Sequence, residues 1–171
     1  MNYSYYQKKV NENTTGKNDI TPIFHDYAMI YHLVVDLSKP FKKAKVDKVV
    51  GIDALGFVIG AAVALELKAG FIPIRKTGKL PSKNKVTQEF VDYSHTQKSL
   101  EINQKAIKKG ERILIVDDWI ETGAQIRAAI QLVENQGGKV IGVSTLFAEK
   151  NNQTKELFSR YPCYAINKPK N

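Results

Sequence analysis

The sequence predicts an α/β domain with a mostly parallel sheet of about five strands and helices on both faces. Three observations predict it. Short β-branched runs alternate with apolar-periodic stretches of helical length, the order that builds parallel sheets with right-handed crossovers. Arg112–Val116 carries a continuous β-branched and Leu run, as a strand covered on both faces requires. The length, 171 residues, is close to the ~150 of one domain, so residues 1–171 read as a single unit.

Residues 1–18 are polar, rich in Asn and Lys and without periodicity, so they read as an irregular arm. Asp26 stands where an N-cap is wanted, and Ile30, Leu33, Val34 and Leu37 recur at helical spacing until Pro40. Val46–Ile52 reads as a buried strand ending at Asp53. Gly56–Ala69 reads as an apolar helix stopped by Gly70, and Phe71–Arg75 as a short strand. Residues 76–98 are polar, basic and weakly patterned, interrupted by Gly78 and Pro81. A loop longer than ~12–15 residues in a compact domain is uncommon and often a lid, so a flexible loop is expected here. Ser99–Ile102 reads as a short strand at its far end.

The strand Arg112–Val116 runs into Asp117-Asp118. A helix with Ile126, Ala129, Ile130 and Val133 on one face follows and closes at Gly137-Gly138. Val140–Phe147 is the next strand, then a short helix near Thr154–Phe158 and a last strand near Cys163–Ile166.

Composition narrows the function classes. No apolar run reaches the ~18–20 residues of a membrane span, and the first 18 residues hold no signal-peptide core. The lone Cys163 excludes a disulfide framework and reads as a small buried hydrophobe. A cytoplasmic protein with no membrane partner is expected. The chain carries 26 Lys and Arg against 17 Asp and Glu, for a net charge of +9. Only Arg75, Arg112, Arg127 and Arg160 are arginines, whereas base-edge readers lean on arginine forks. The surplus therefore suits a solvated surface or a polyanionic small substrate, and no nucleic-acid partner is expected. His25, His32 and His95 share no metal-ligand spacing.

The segment Ile113–Gln125 gathers the chemistry. A buried strand delivers two carboxylates to its C-terminal edge, where open α/β sheets place their ligands. A Gly-containing loop then opens a helix whose free N–H groups and dipole attract phosphate. A sugar phosphate satisfies both halves, with its phosphate on the loop and its hydroxyls on the acids. A capping loop with two solvent-facing acids is the alternative reading of the same residues.

ILIVDDWIETGAQ resembles the PRPP-binding signature of type I phosphoribosyltransferases. GIDALGF is similar to the pyrophosphate loop of the adenine-type branch, and IRKTGKLP to its signature at the mouth of the flexible loop. DITP and SLEI match as well, so the resemblance spans about residues 16–150. It implies that the α/β domain is of the type I phosphoribosyltransferase kind, with a small N-terminal hood. It also implies Mg²⁺-dependent transfer of 5-phosphoribose from PRPP to a nucleobase, most simply a purine, with pyrophosphate released. A homodimer is implied too. By the same resemblance Asp117 and Asp118 bind the ribose hydroxyls, and Glu121, Thr122, Gly123, Ala124 and Gln125 wrap the 5′-phosphate. Asp53, Ala54, Leu55 and Gly56 hold pyrophosphate, and Arg75, Lys76 and Lys79 supply cations to it, with Arg75 and Lys79 acting in catalysis. Magnesium is carried largely by PRPP, so no direct protein ligand is assigned.

Several positions depart from the family pattern. Leu55 stands where an Arg is usual, and Gln125 where Thr or Ser closes the phosphate loop. Lys17-Asn18 replace the aromatic-basic pair that packs on adenine, and the loop Glu of adenine enzymes has no clear counterpart in VDYSHTQKSLEI. Glu121 occupies the place of an Asp in hypoxanthine-guanine enzymes, where a carboxylate can accept or return the imidazole-edge proton of the purine. It reads either as that general acid–base or as an outward-facing loop residue. Trp119 either stacks on the base, with Lys17 nearby, or plugs the core under the loop. A PRPP-binding regulator that has lost the chemistry is the alternative function.

Overall fold

The computed structural model describes residues 1–11, 14, 18–92 and 96–169. Its sheet has seven strands in the order β3-β4-β2-β1-β5-β6-β7, two more than the sequence predicts. Five are parallel and form the body: β2 (Gly70–Lys76), β1 (Lys48–Ile52), β5 (Arg112–Ile120), β6 (Lys139–Ala148) and β7 (Cys163–Ala165). The other two, β3 (Lys85–Val91) and β4 (Gln97–Asn103), are antiparallel to each other, and β4 joins the edge of β2 at Arg75 and Lys76.

Strand alternation in β5 explains the layers. Ile113 and Ile115 face one side with the apolar stripe of α4 (Ala124–Asn135), while Leu114 and Val116 face the other. That second side is covered by α2 (Tyr27–Ser38) and α3 (Leu55–Glu66). Asp26 caps α2 as predicted, its Oδ1 accepting from the Ala28 and Met29 amides at 2.9 and 3.2 Å. The short helix α5 (Lys155–Arg160) buries Leu157 on the α4 side. Cys163 is half-buried against the same core, where burial pushes its thiol up to about 12. Among the described residues, no helix is long and apolar enough to cross a membrane.

Three expectations change. Residues 76–98 are not without regular structure, because they contain β3 and the start of β4. The period-2 signal of β3 is weak, since only Val86 and Phe90 turn toward the core and the positions between them are Thr, Gln and Glu. The arm is also not wholly irregular. Tyr3–Gln7 forms α1, capped by Asn2, with Tyr6 fully buried and its hydroxyl donating to Asp36 at 2.6 Å. Finally, β5 runs on through Asp117, Asp118 and Trp119 rather than ending before them.

Two glycines set how α3 meets the sheet. A Cβ on Gly51 would lie 2.2 Å from the Gly56 carbonyl oxygen, and one on Gly56 would lie 2.8 Å from Asp117 Oδ1. Only backbone fits between β1, the start of α3 and the end of β5, so the loop after β1 sits directly on the acids of β5.

Candidate active site

At the C-terminal edge of β1, β2 and β5 lies a cavity of about 680 Å³. One wall is the loop after β1, with Asp53, Ala54 and Leu55; the Asp53–Ala54 peptide is cis. A second wall is the end of β5 and the first turn of α4, from Asp118 to Ile126. The third wall comes from Lys76 and Thr77 and from the hairpin, which contributes Phe90, Asp92, Gln97, Lys98 and Ser99.

The loop between β5 and α4 turns on Gly123, whose φ of 73° lies in the left-handed region. A Cβ there would also sit 3.0 Å from Arg127 Nη1. The Ala124 amide donates to Thr122 Oγ1 at 3.3 Å, and the Glu121 carbonyl accepts from Asn151 Nδ2 at 3.1 Å. The loop is thus tied down at both ends while the first turn of α4 opens toward the cavity, an arrangement suited to an anion. The Glu121 side chain is half-buried and lines both this cavity and a smaller neighbouring one of about 450 Å³.

The two acids of β5 are not equivalent. Consecutive strand residues point to opposite faces, so Asp118 reaches the cavity while Asp117 turns to the α4 side, only 2% exposed. Gln125 Nε2 donates to Asp117 Oδ2 at 2.9 Å. Burial and the neighbouring Asp118 hold the Asp117 carboxyl well above the usual carboxylate range, and the Gln125 amide pulls the other way.

Asp53 gathers the predicted cations at the rim. Arg75 Nε donates to its Oδ2 at 3.4 Å, and Lys79 Nζ lies 3.9 Å from the same oxygen. The Arg75 guanidinium also lies 5.7 Å from the Phe57 ring centroid. Arg75 and Lys79 therefore flank the cavity, whereas Lys76 lines it. Trp119 stacks on Phe147 with ring centroids 4.7 Å apart, and it also borders the cavity. Its Nε1 is buried with no hydrogen-bond partner among the described residues. Lys17 lies outside the described residues.

Sequence reasoning missed the hairpin wall. Thr77 Oγ1 donates to the Ser99 carbonyl at 2.9 Å, and Asp92 forms an ion pair with Lys98. No local spacing announces these residues, because a hairpin folding back over a distant loop brings them to the cavity. A basic stretch with two apolar positions four apart (Val86, Phe90) is the one available hint.

The phosphoribosyl transferase domain family matches residues 24–170. The adenine phosphoribosyltransferase of Natranaerobius thermophilus is 40% identical over 144 residues, covering 84% of this chain and 83% of the relative. That of Dinoroseobacter shibae is 44% identical over 128 residues, covering 75% and 70%. Among solved structures, adenine phosphoribosyltransferase from Rhodothermus marinus superposes with a TM-score of 0.86 at 30% identity, over 96% of each chain. The Saccharomyces cerevisiae enzyme, complexed with an imino-altritol bisphosphate and adenine, gives a TM-score of 0.82 at 26% identity, over 96% of this chain and 97% of that one. With Asp118, the glycine-turned 121–125 loop and the 53–55 loop meeting at one cavity, these likenesses leave a single assignment. The chain belongs to the type I phosphoribosyltransferases, on the branch of adenine phosphoribosyltransferase-like proteins, enzymes that transfer 5-phosphoribose from PRPP to a nucleobase and release pyrophosphate.

Proposed function

We propose that the acceptor is a purine and that the reaction takes place in the 680 Å³ cavity. The observation that carries this reading is the convergence there of Asp118, the 121–125 loop and the 53–55 loop. The relatives named adenine phosphoribosyltransferase, and the adenine in the yeast complex, support a purine.

Each predicted residue has a task. The turn from Glu121 to Gln125 receives the 5′-phosphate through backbone N–H groups. Asp118, with Asp117 behind it, meets the ribose hydroxyls. Asp53 to Gly56 receive the pyrophosphate, and Lys76 at the wall and Arg75 and Lys79 at the rim neutralise it as it leaves. Ribosyl oxocarbenium character at the transition state makes that neutralisation the main lever on the rate. Glu121 manages the imidazole-edge proton, which every purine has. A preference for 6-oxopurines over adenine is the second reading, favoured by the Glu121 carboxylate at the cavity and by the missing loop Glu.

Mg²⁺ is the proposed cofactor. Asp118 offers the hard oxygen donor such an ion takes, and among the described residues no group of three His, Cys, Asp or Glu side chains makes a closed protein site. This suits an ion that arrives on PRPP and keeps its waters. When bound it neutralises charge on the pyrophosphate. A homodimer is part of the proposal, because α3 is apolar all round yet leaves Val58 46% and Leu65 81% exposed, a face that a second copy would cover. So are a cytoplasmic location, a single 1–171 unit and a lid function for residues 76–98.

Pyrophosphate release from PRPP and Mg²⁺ tests this with adenine, hypoxanthine, guanine, xanthine and orotate in turn. Turnover of a purine is expected. Release on orotate alone would reject the purine assignment, and PRPP binding without release on any base would return the regulatory alternative.

A further inference from the structure

In this chain Gln125 closes the phosphate loop, and its amide does not stand free to meet a phosphate. Nε2 donates to Asp117 Oδ2 at 2.9 Å, across eight residues of chain, from the first turn of α4 to the end of β5. The other carboxylate oxygen is confined as well, since a Cβ on Gly56 would lie 2.8 Å from Asp117 Oδ1. Asp117 is 2% exposed, so its carboxyl depends on partners inside the protein, the Gln125 amide and the backbone and side chain of Asp118. Asp117 is therefore clamped between α3 and α4, while its neighbour Asp118 lines the cavity.

We propose that Gln125 is a positioning residue: by gripping Asp117 it locks the first turn of α4 to the end of β5, and so sets the phosphate-binding N–H groups in register with the ribose-binding acids. The 5′-phosphate is then held by backbone N–H groups and Thr122, with no contribution from the Gln125 side chain. An amide suits this place because it can donate to the ionised acid or, turned over, accept from the protonated one.

This inference rests on the PRPP reading of the loop, which wild-type binding of PRPP in the presence of Mg²⁺ checks by itself. The decisive experiment is a double-mutant cycle read by calorimetry and by steady-state kinetics. Gln125→Glu sets a further carboxylate, beside Asp118, against Asp117 and is expected to weaken PRPP binding about tenfold or more, the scale of a hydrogen bond to a charged group. In an Asp117→Asn background the polarity is restored, with Asn donating and Glu accepting, and the same substitution is expected to change binding less than threefold. The isosteric Gln125→Met should raise KM for PRPP about tenfold while kcat moves less than threefold. A direct contact with phosphate predicts a different result: Gln125→Glu would repel the ligand equally in both backgrounds, which overturns the proposal. Unchanged PRPP binding in Gln125→Met also overturns it. That measurement keeps the test open if Gln125→Glu does not fold.

Discussion

The parallel body and the β3–β4 hairpin share the walls of one cavity but are held by different forces. In β5 the residues Ile113 to Val116 are fully buried, and the loop after it is turned on Gly123 and tied to Asn151. In β3 no residue is buried, and exposed and half-buried positions alternate along its length. The hairpin is held instead through β4 and through polar pairs: Lys85 Nζ with Glu101 Oε1 at 2.7 Å, Asp92 with Lys98, and Thr77 with the Ser99 carbonyl. Apolar burial at ~25 cal/mol per Å² gives the body a stable frame, whereas the hairpin pairs set a buried carboxylate against a lysine that keeps access to solvent, which screens it. On the proposed reading, the difference teaches how one site can combine a preformed cradle for PRPP with a wall able to open and close. The cradle must keep its geometry, and the wall must not be too stable.

Four measurements sharpen or break this contrast. The largest effect is expected at Glu121, on the cradle side of the cavity. If it manages the purine proton, Glu121→Gln lowers kcat by ~10²–10⁴-fold with little change in PRPP affinity. A change under threefold makes it an ordinary loop residue. Next is the pair of acids: Asp117→Asn/Asp118→Asn is expected to weaken PRPP binding by about 10²-fold, since Asp118 loses its charged hydrogen bonds to the ribose and Asp117 its hold on Gln125. Calorimetry showing unchanged binding would move the ribose site elsewhere.

The third measurement compares the two regions directly. Leu114→Ala, at a fully buried site of the body, is expected to cost about 2–5 kcal/mol and lower Tm by roughly 5–15 °C. Val91→Ala in the hairpin, 57% exposed, is expected to shift stability by no more than about 0.5 kcal/mol. Similar losses from both would mean that β3 is packed as firmly as the body. The smallest effect is local. Amide exchange over residues 85–91 should be faster than over 112–118 in the ligand-free protein, and should slow when PRPP and Mg²⁺ are added. Equal protection without ligand rejects the lid.

Local signals carried much of this molecule. The apolar run before Asp117, the Asp26 cap and the spacing of Ile126, Ala129, Ile130 and Val133 depend on neighbours a few residues apart, and each element they predict is present. The same holds for the Gly-turned phosphate loop, because a left-handed turn selects its residue by backbone sterics alone. Tertiary structure decided what depends on distant partners. The hairpin carries a mixed polar pattern and becomes a wall only by pairing with β2 and arching over the start of α4. Tyr6 looks like part of a polar arm until Asp36, thirty residues on, accepts its hydroxyl. The two adjacent acids read alike in sequence, yet strand alternation and the approach of Gly56 bury Asp117 on Gln125 and leave Asp118 at the cavity. Periodicity and turn chemistry are written in the spacing of near neighbours. Burial, and with it the division of roles between two identical carboxylates, is set by what the rest of the chain packs against each of them.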